Sequence, residues 1–130
     1  MIPHWRRFLL LCVLAGTALS PAWAQRDAPR PAYAFGGAVE LYQQQLYPDA
    51  AAAFSTFREA HASHVTAPQA LYLEARAALA QGDDAGTRRL LGRLQREYPS
   101  HPRAETARLG LAQYYLDQGN PDRAKSQLQT

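Results

Sequence analysis

Residues 109–128 read "LGLAQYYLDQGNPDRAKSQL", and their interpretation decides the fold. Up to Asp117 the residues are mostly leucine, alanine, glutamine and tyrosine, which a helix accommodates readily. The Gly119-Asn120-Pro121 corner then supplies three different signals. Glycine accepts the left-handed conformation that ends a helix, asparagine can cap the next one, and proline suits a first helical turn. The stretch therefore predicts two helices in a tight hairpin. Tyr114 and Tyr115 project about 100° apart on such a helix. One can fill the core of the hairpin while the other meets a neighbouring hairpin.

The same hairpin recurs along the chain. A shift of 37 residues superposes Ala38, Ala75 and Ala112, then Leu41, Ala78 and Tyr115, then the turn residues Gln45, Gly82 and Gly119. In the second helices Ala50, Thr87 and Ala124 coincide, followed by Phe54, Leu91 and Leu128, with Phe57 matching Leu94. The connectors agree too: "HASHVTAPQA" aligns with "YPSHPRAETA", pairing Ser63 with Ser100 and His64 with His101. A small residue at a helix crossing lets backbones approach, and a bulky apolar residue one turn away fills the space beside it. Repetition at a fixed period predicts a stack of hairpins, each covering the apolar face of the last.

Breakers set the element boundaries. Pro48, Gly82-Asp83-Asp84 and Gly119-Asn120-Pro121 fall inside hairpins, and Asp84 or Asn120 can cap the second helices. Helices are predicted over residues 33–45, 48–61, 67–81, 84–97, 102–118 and 121–130. Valine occurs after the N-terminal segment only at positions 39 and 65, which argues against strands. The fold class is all-α: an α-solenoid of antiparallel hairpins spanning residues 33–130, with the third hairpin incomplete. A polar capping helix that would close such a stack is missing, so the chain is expected to be the N-terminal part of a longer repeat protein.

Residues 1–24 carry a different pattern. A basic start, "MIPHWRR", precedes the apolar run "FLLLCVLAGTAL" and the small residues Ala22 and Ala24. This is the three-part form of a secretory signal peptide, with cleavage expected after Ala24. Twelve apolar residues are few for a bilayer span, which needs about 20. A signal segment left uncleaved would be the protein's sole membrane contact. Residues 25–32, "QRDAPRPA", read as a flexible leader. Cleavage leaves 12 basic and 11 acidic residues, a net charge of about +1, against +3 for the whole chain. That removes the electrostatic case for nucleic-acid binding. Cys12 is the single cysteine, so the mature chain has neither a disulfide nor a cysteine-based metal site.

These hairpins resemble tetratricopeptide repeats. The third unit carries Leu111-Ala112, Tyr115, Gly119, Ala124 and Leu128 at that family's spacing. The second keeps Ala75, Gly82, Leu91, Leu94 and Pro99, and the first keeps Ala38, Ala50, Phe54 and Phe57 with Gln45 in place of glycine. The joint "YPSHPRA" is similar to those of bacterial envelope repeat proteins, of the YbgF (cell-division coordinator) type and the BamD-like outer-membrane assembly type. The resemblance implies a non-catalytic scaffold whose first helices line a groove for a protein or peptide.

Carried onto this sequence, the groove positions are Phe35, Val39, Tyr42 and Gln43, then Gln69, Tyr72 and Arg76, then Leu109, Gln113 and Asp117. Phe35, Tyr42 and Leu109 are expected to serve as core between hairpins. Gln69, Tyr72, Arg76 and Gln113 are the partner-binding candidates, because aromatic area and amide hydrogen bonds together suit an extended peptide. A second candidate surface is Arg89, Arg93 and Arg96, which share a helical face and could dock an anionic partner. The simpler reading of that face is a solvated exterior, with Glu97 offsetting Arg93.

No motif for catalysis emerges. His61 and His64 have ligand-like spacing, but His64 recurs as His101 and is better explained as a connector or cap residue. Asp83-Asp84 sit where a helix begins, so capping suffices for them. There is no Gly-rich phosphate loop and no nucleophile–base pattern. The expected function is an exported, non-enzymatic interaction scaffold without cofactor, metal or small-molecule substrate. Its expected location is the periplasm and its expected partner an envelope protein. The alternative is an adaptor segment of a longer enzyme or envelope machine with a catalytic domain beyond residue 130.

Overall fold

The computed structural model describes residues 30–129. Six helices follow in order: α1 (Pro31–Gln43), α2 (Tyr47–Ala60), α3 (Ala67–Ala80), α4 (Asp84–Glu97), α5 (Pro102–Asp117) and α6 (Pro121–Leu128). No strand occurs among the described residues. Every helix boundary lies within two residues of its predicted place, and α4 is α2 displaced by the full 37-residue period. The expected signal peptide, residues 1–24, and residues 25–29 of the expected leader lie outside the described residues. Helix α1 begins at Pro31, two residues earlier than the pattern predicts, because proline is well suited to a first helical turn.

Each helix packs against its neighbours in the chain, and α3 also touches α5. The hairpins therefore stack in sequence order, as a repeat architecture requires. The recurring small residues do what the pattern asks of them: Ala38, Ala75 and Ala112 are buried, as are Ala50, Thr87 and Ala124. Two apolar clusters form around them. One gathers Ala38, Ala50, Phe54, Phe57 and Ala70, and the other joins Leu71, Leu90, Leu91 and Leu94 to Ala107 and Leu111. Phe54, Phe57, Leu71 and Leu94 are the largest fully buried side chains. Each such side chain stabilises the fold by about 1.5–3 kcal/mol relative to exposure. Leu128 is half exposed, unlike its repeat equivalents Phe54 and Leu91.

The hairpin turns share one backbone device. Gln45, Gly82 and Gly119 all adopt positive φ, at 62°, 75° and 68°. Capping differs in detail from the expectation. Asp83, not Asp84, caps α4: its Oδ1 accepts a 2.8 Å hydrogen bond from the Gly86 backbone N–H. Asp84 is the first helical residue, too far along to reach back. Asn120 caps α6 as expected, accepting from Arg123 N–H at 3.3 Å. Both repeated histidines accept backbone bonds in their connectors, but only His101 is a helix cap, that of α5. His101 Nδ1 accepts from Arg103 N–H at 3.1 Å, and His64 Nδ1 accepts from Thr66 N–H at 3.3 Å. The Tyr98 hydroxyl donates to the Ala62 carbonyl at 3.4 Å and ties one connector to the next.

One buried polar contact departs from the repeat. Arg58 on α2 donates through Nε and Nη2 to the same carboxylate oxygen of Glu74 on α3, at 2.7 and 2.6 Å. Burial pushes the Glu74 carboxyl above its ordinary range, and the Arg58 guanidinium offsets only part of that cost.

Candidate partner-binding cleft

Helices α3 and α5 are the first helices of consecutive hairpins, so they run side by side in the same direction. Their opening turns meet where Arg103 Nε donates to Gln69 Oε1 at 2.6 Å. Beside that contact, Thr87 and Leu91 of α4 join the two helices in a common lining. The result is an open cleft of about 460 Å³ with a mainly apolar lining. Tyr72, Arg76 and Leu79 come from α3, and Leu109, Gln113, Tyr114 and Asp117 from α5. Clefts of this size and character are ordinary binding sites.

Tyr72 organises one end. Its ring packs against the second apolar cluster, which fixes its orientation. The Arg103 guanidinium lies 4.8 Å from the ring centroid and that of Arg76 lies at 6.0 Å. Arg76 Nη1 also donates to the Tyr72 hydroxyl at 3.3 Å. That hydrogen bond is the main cause of a raised Arg76 pKa, against a smaller opposing effect of burial. At the other end Gln113 Nε2 donates to Asp117 Oδ1 at 2.8 Å. Leu79 and Leu109, exposed at 46% and 52%, share the lining.

The sequence candidates separate accordingly. Tyr72, Arg76 and Gln113 share the cleft lining, and Gln69 sits just outside it, held by Arg103. Phe35 and Tyr42 belong to the core as expected: both pack against the first cluster, and Phe35 stacks on Phe54 and Phe57 at 6.0 and 5.5 Å. Leu109 corrects the expectation that it serves as core. It occupies the same repeat position as Phe35 and Tyr72, but nothing among the described residues covers it, so it faces the cleft. The adjacent tyrosines point to different surroundings, though not as a hairpin-core residue and a neighbour contact. Tyr115 packs on the α3–α5 core and lies under Arg123 of α6, whereas Tyr114 lines the cleft beneath Arg88 of α4.

Arg89, Arg93 and Arg96 lie on α4 outside the cleft. Arg93 is tied to Glu97, the pairing that the sequence suggests, and that bond raises its pKa. Neither Arg89 nor Arg96 forms an ion pair among the described residues. Sequence reasoning missed Leu79 and Tyr114 in the lining, and Arg103 beside it on the Tyr72 ring. Leu79 was accessible in principle, since it stands 37 residues after Tyr42. Arg103 has Thr66 as its repeat equivalent and gave no such signal.

A phenol, two guanidinium groups and an amide–carboxylate pair offer recognition without a nucleophile–base pair. Among the described residues no cluster of metal-ligating side chains forms, and no helix is long and apolar enough to cross a membrane.

Comparison with known families agrees with this geometry. Residues 9–130 match the tetratricopeptide repeat-like domain. The chain belongs to that family. No curated protein matches it in sequence. Tetratricopeptide repeat-like domains are protein–protein interaction scaffolds, generally non-catalytic, and their usual partners are proteins. In this tetratricopeptide repeat-like chain two first helices, α3 and α5, and the floor residues of α4 line the cleft.

Proposed function

We propose that the protein is an exported, non-catalytic scaffold that holds a peptide segment of an envelope protein in the α3–α5 cleft. The observation that carries this reading is the pair of half-exposed leucines, Leu79 and Leu109, in one apolar lining. A contiguous apolar surface framed by polar groups marks an interaction site. Tyr72, Arg76 and Gln113 supply the polar frame, and Gln69 steadies it through Arg103. Export is supported by the basic–apolar–small order of residues 1–24, and an envelope partner by the connector "YPSHPRA". The BamD-like and YbgF-type proteins are the relatives that this connector suggests.

Two measurements test the proposal. Combined Tyr72→Ala and Arg76→Ala substitution should weaken capture of an envelope partner at least tenfold while circular dichroism stays unchanged. Undiminished capture would count against the cleft. For export, the mature protein should begin at Gln25 in an extracytoplasmic fraction. An intact Met1 in the cytosol would contradict it.

A further inference from the structure

The repeat register explains why the α3–α5 junction stands open. A shift of 37 residues maps it onto the α1–α3 junction, where Tyr42, Leu73 and Arg76 hold the places of Leu79, Gly110 and Gln113. Tyr42 and Leu73 pack against the first apolar cluster, and the Tyr42 ring meets that of Tyr47 edge-on at 5.5 Å. The Tyr72 hydroxyl is the main cause of the raised Arg76 pKa, and Tyr42 adds to it, so Tyr42 and Arg76 meet across that earlier junction. All three positions lose bulk between α3 and α5, and Leu79 is left half exposed. Packing does not require the glycine at position 110: a Cβ there would meet only Leu91 Cδ1, at an ordinary 4.0 Å. Glycine inside a helix is destabilising relative to alanine, and here it lowers the wall of the cleft. Tyr114 stands where the earlier junction has Ala77, and its ring joins that of Tyr72 in the lining. Each ring carries a guanidinium, Arg76 at 6.0 Å from Tyr72 and Arg88 at 5.4 Å from Tyr114.

We propose that the cleft takes an aromatic side chain of the partner segment, seated over Leu79 as the chain's own Tyr42 fills the junction before it. This deepens the proposed function and rests on the cleft being the docking site. Charge complementarity favours a ring over an aliphatic side chain. Each guanidinium lies with one face toward a tyrosine, and its other face can meet the electron-rich face of an incoming ring. The electropositive edge of that ring suits the faces of Tyr72 and Tyr114. An aliphatic side chain would cover the same leucines but gain neither contact. Size agrees as well: a cavity of about 150 Å³ accepts benzene, so about 460 Å³ admits a ring with part of its own backbone. Buried aromatic anchors of this kind commonly dominate the energy of an interface.

Random 12-residue peptides selected on the immobilised chain test both levels. The selected peptides should share an aromatic residue, and Leu109→Asp should abolish their capture with circular dichroism unchanged. For one such synthetic peptide, fluorescence anisotropy should show at least a tenfold loss of affinity when that aromatic is changed to leucine. The peptide-side change leaves the protein untouched, so the result does not depend on any variant folding. Leu79→Tyr supplies the ring that Tyr42 gives the earlier junction, and Gly110→Leu restores the bulk of Leu73. Each should cause a similar loss of binding, with thermal unfolding no lower than in the wild type. Selected peptides that share only aliphatic residues, and are lost on Leu109→Asp, would overturn the aromatic anchor and leave the docking site standing. A leucine-changed peptide that binds undiminished would overturn the anchor as well, as would full binding to both filled variants. No selection at all, or capture unaffected by Leu109→Asp, would overturn the docking site and the anchor together.

Discussion

Gln45 stands at φ 62° in a turn where its two repeat equivalents are glycines. A side chain in the left-handed region costs about 1–2 kcal/mol, part of which glycine would return as extra freedom of the unfolded chain. Gln45→Gly should therefore stabilise the protein by about 0.5–1 kcal/mol. Gly82→Ala, which introduces the same strain, should cost about 1 kcal/mol. Urea denaturation measures both, and a loss of stability in Gln45→Gly would refute the shared turn geometry. The sequence makes this position legible as a mismatch in the repeat, since Gln45 aligns with two glycines. It does not reveal which aspartate caps α4, because Asp83 and Asp84 are adjacent and a one-residue shift of the helix start exchanges their roles.

Between elements, the contact that repetition could not reveal is Arg58–Glu74. Their repeat equivalents are Gln95 and Leu111, so the pair is particular to the α2–α3 junction. A signal was nonetheless present: Glu74 sits in the buried stripe of α3 with Leu71 and Ala78, where a lone charge requires a partner. Removing one member strands the other, so Glu74→Ala should destabilise by about 3–5 kcal/mol. Arg58→Met with Glu74→Leu should recover most of that loss, because an apolar pair avoids the desolvation of two ions. A double variant as unstable as Glu74→Ala would show that the ion pair itself holds the junction.

The same junction gives a pH signature. The folded-state pKa of Glu74 is raised, so between its unfolded and folded values the native state binds more protons than the unfolded state. Wild-type stability relative to Glu74→Gln should therefore rise as pH falls from 7 toward about 4.5, the ordinary glutamate range. Denaturation of both proteins at matched pH checks the sign. A relative loss of stability on acidification would mean that the Arg58 contact outweighs burial.

On the scale of the whole molecule, the 37-residue repeat made the stack of hairpins readable to within two residues of every helix end. Burial of the coincident alanines follows from that repeat, because only small residues fit where helices cross. The cleft was half legible. Tyr72, Arg76 and Gln113 project from first helices, and the tetratricopeptide resemblance together with the register placed them in the groove. The exposure of Leu109 could not be read, since register identifies the face of a residue but not whether another helix covers it. Arg103 reaches the cleft rim only because α3 and α5 start side by side, a long-range contact without a local signal.

The central claim is that partners dock between α3 and α5, and site-specific photo-crosslinking in cells tests it most directly. A benzophenone amino acid at Leu109 or Leu79 should yield a discrete adduct with a protein partner, while the same probe at Arg89 on α4 should yield none. Adducts arising from Arg89 with Leu79 and Leu109 silent would contradict the account.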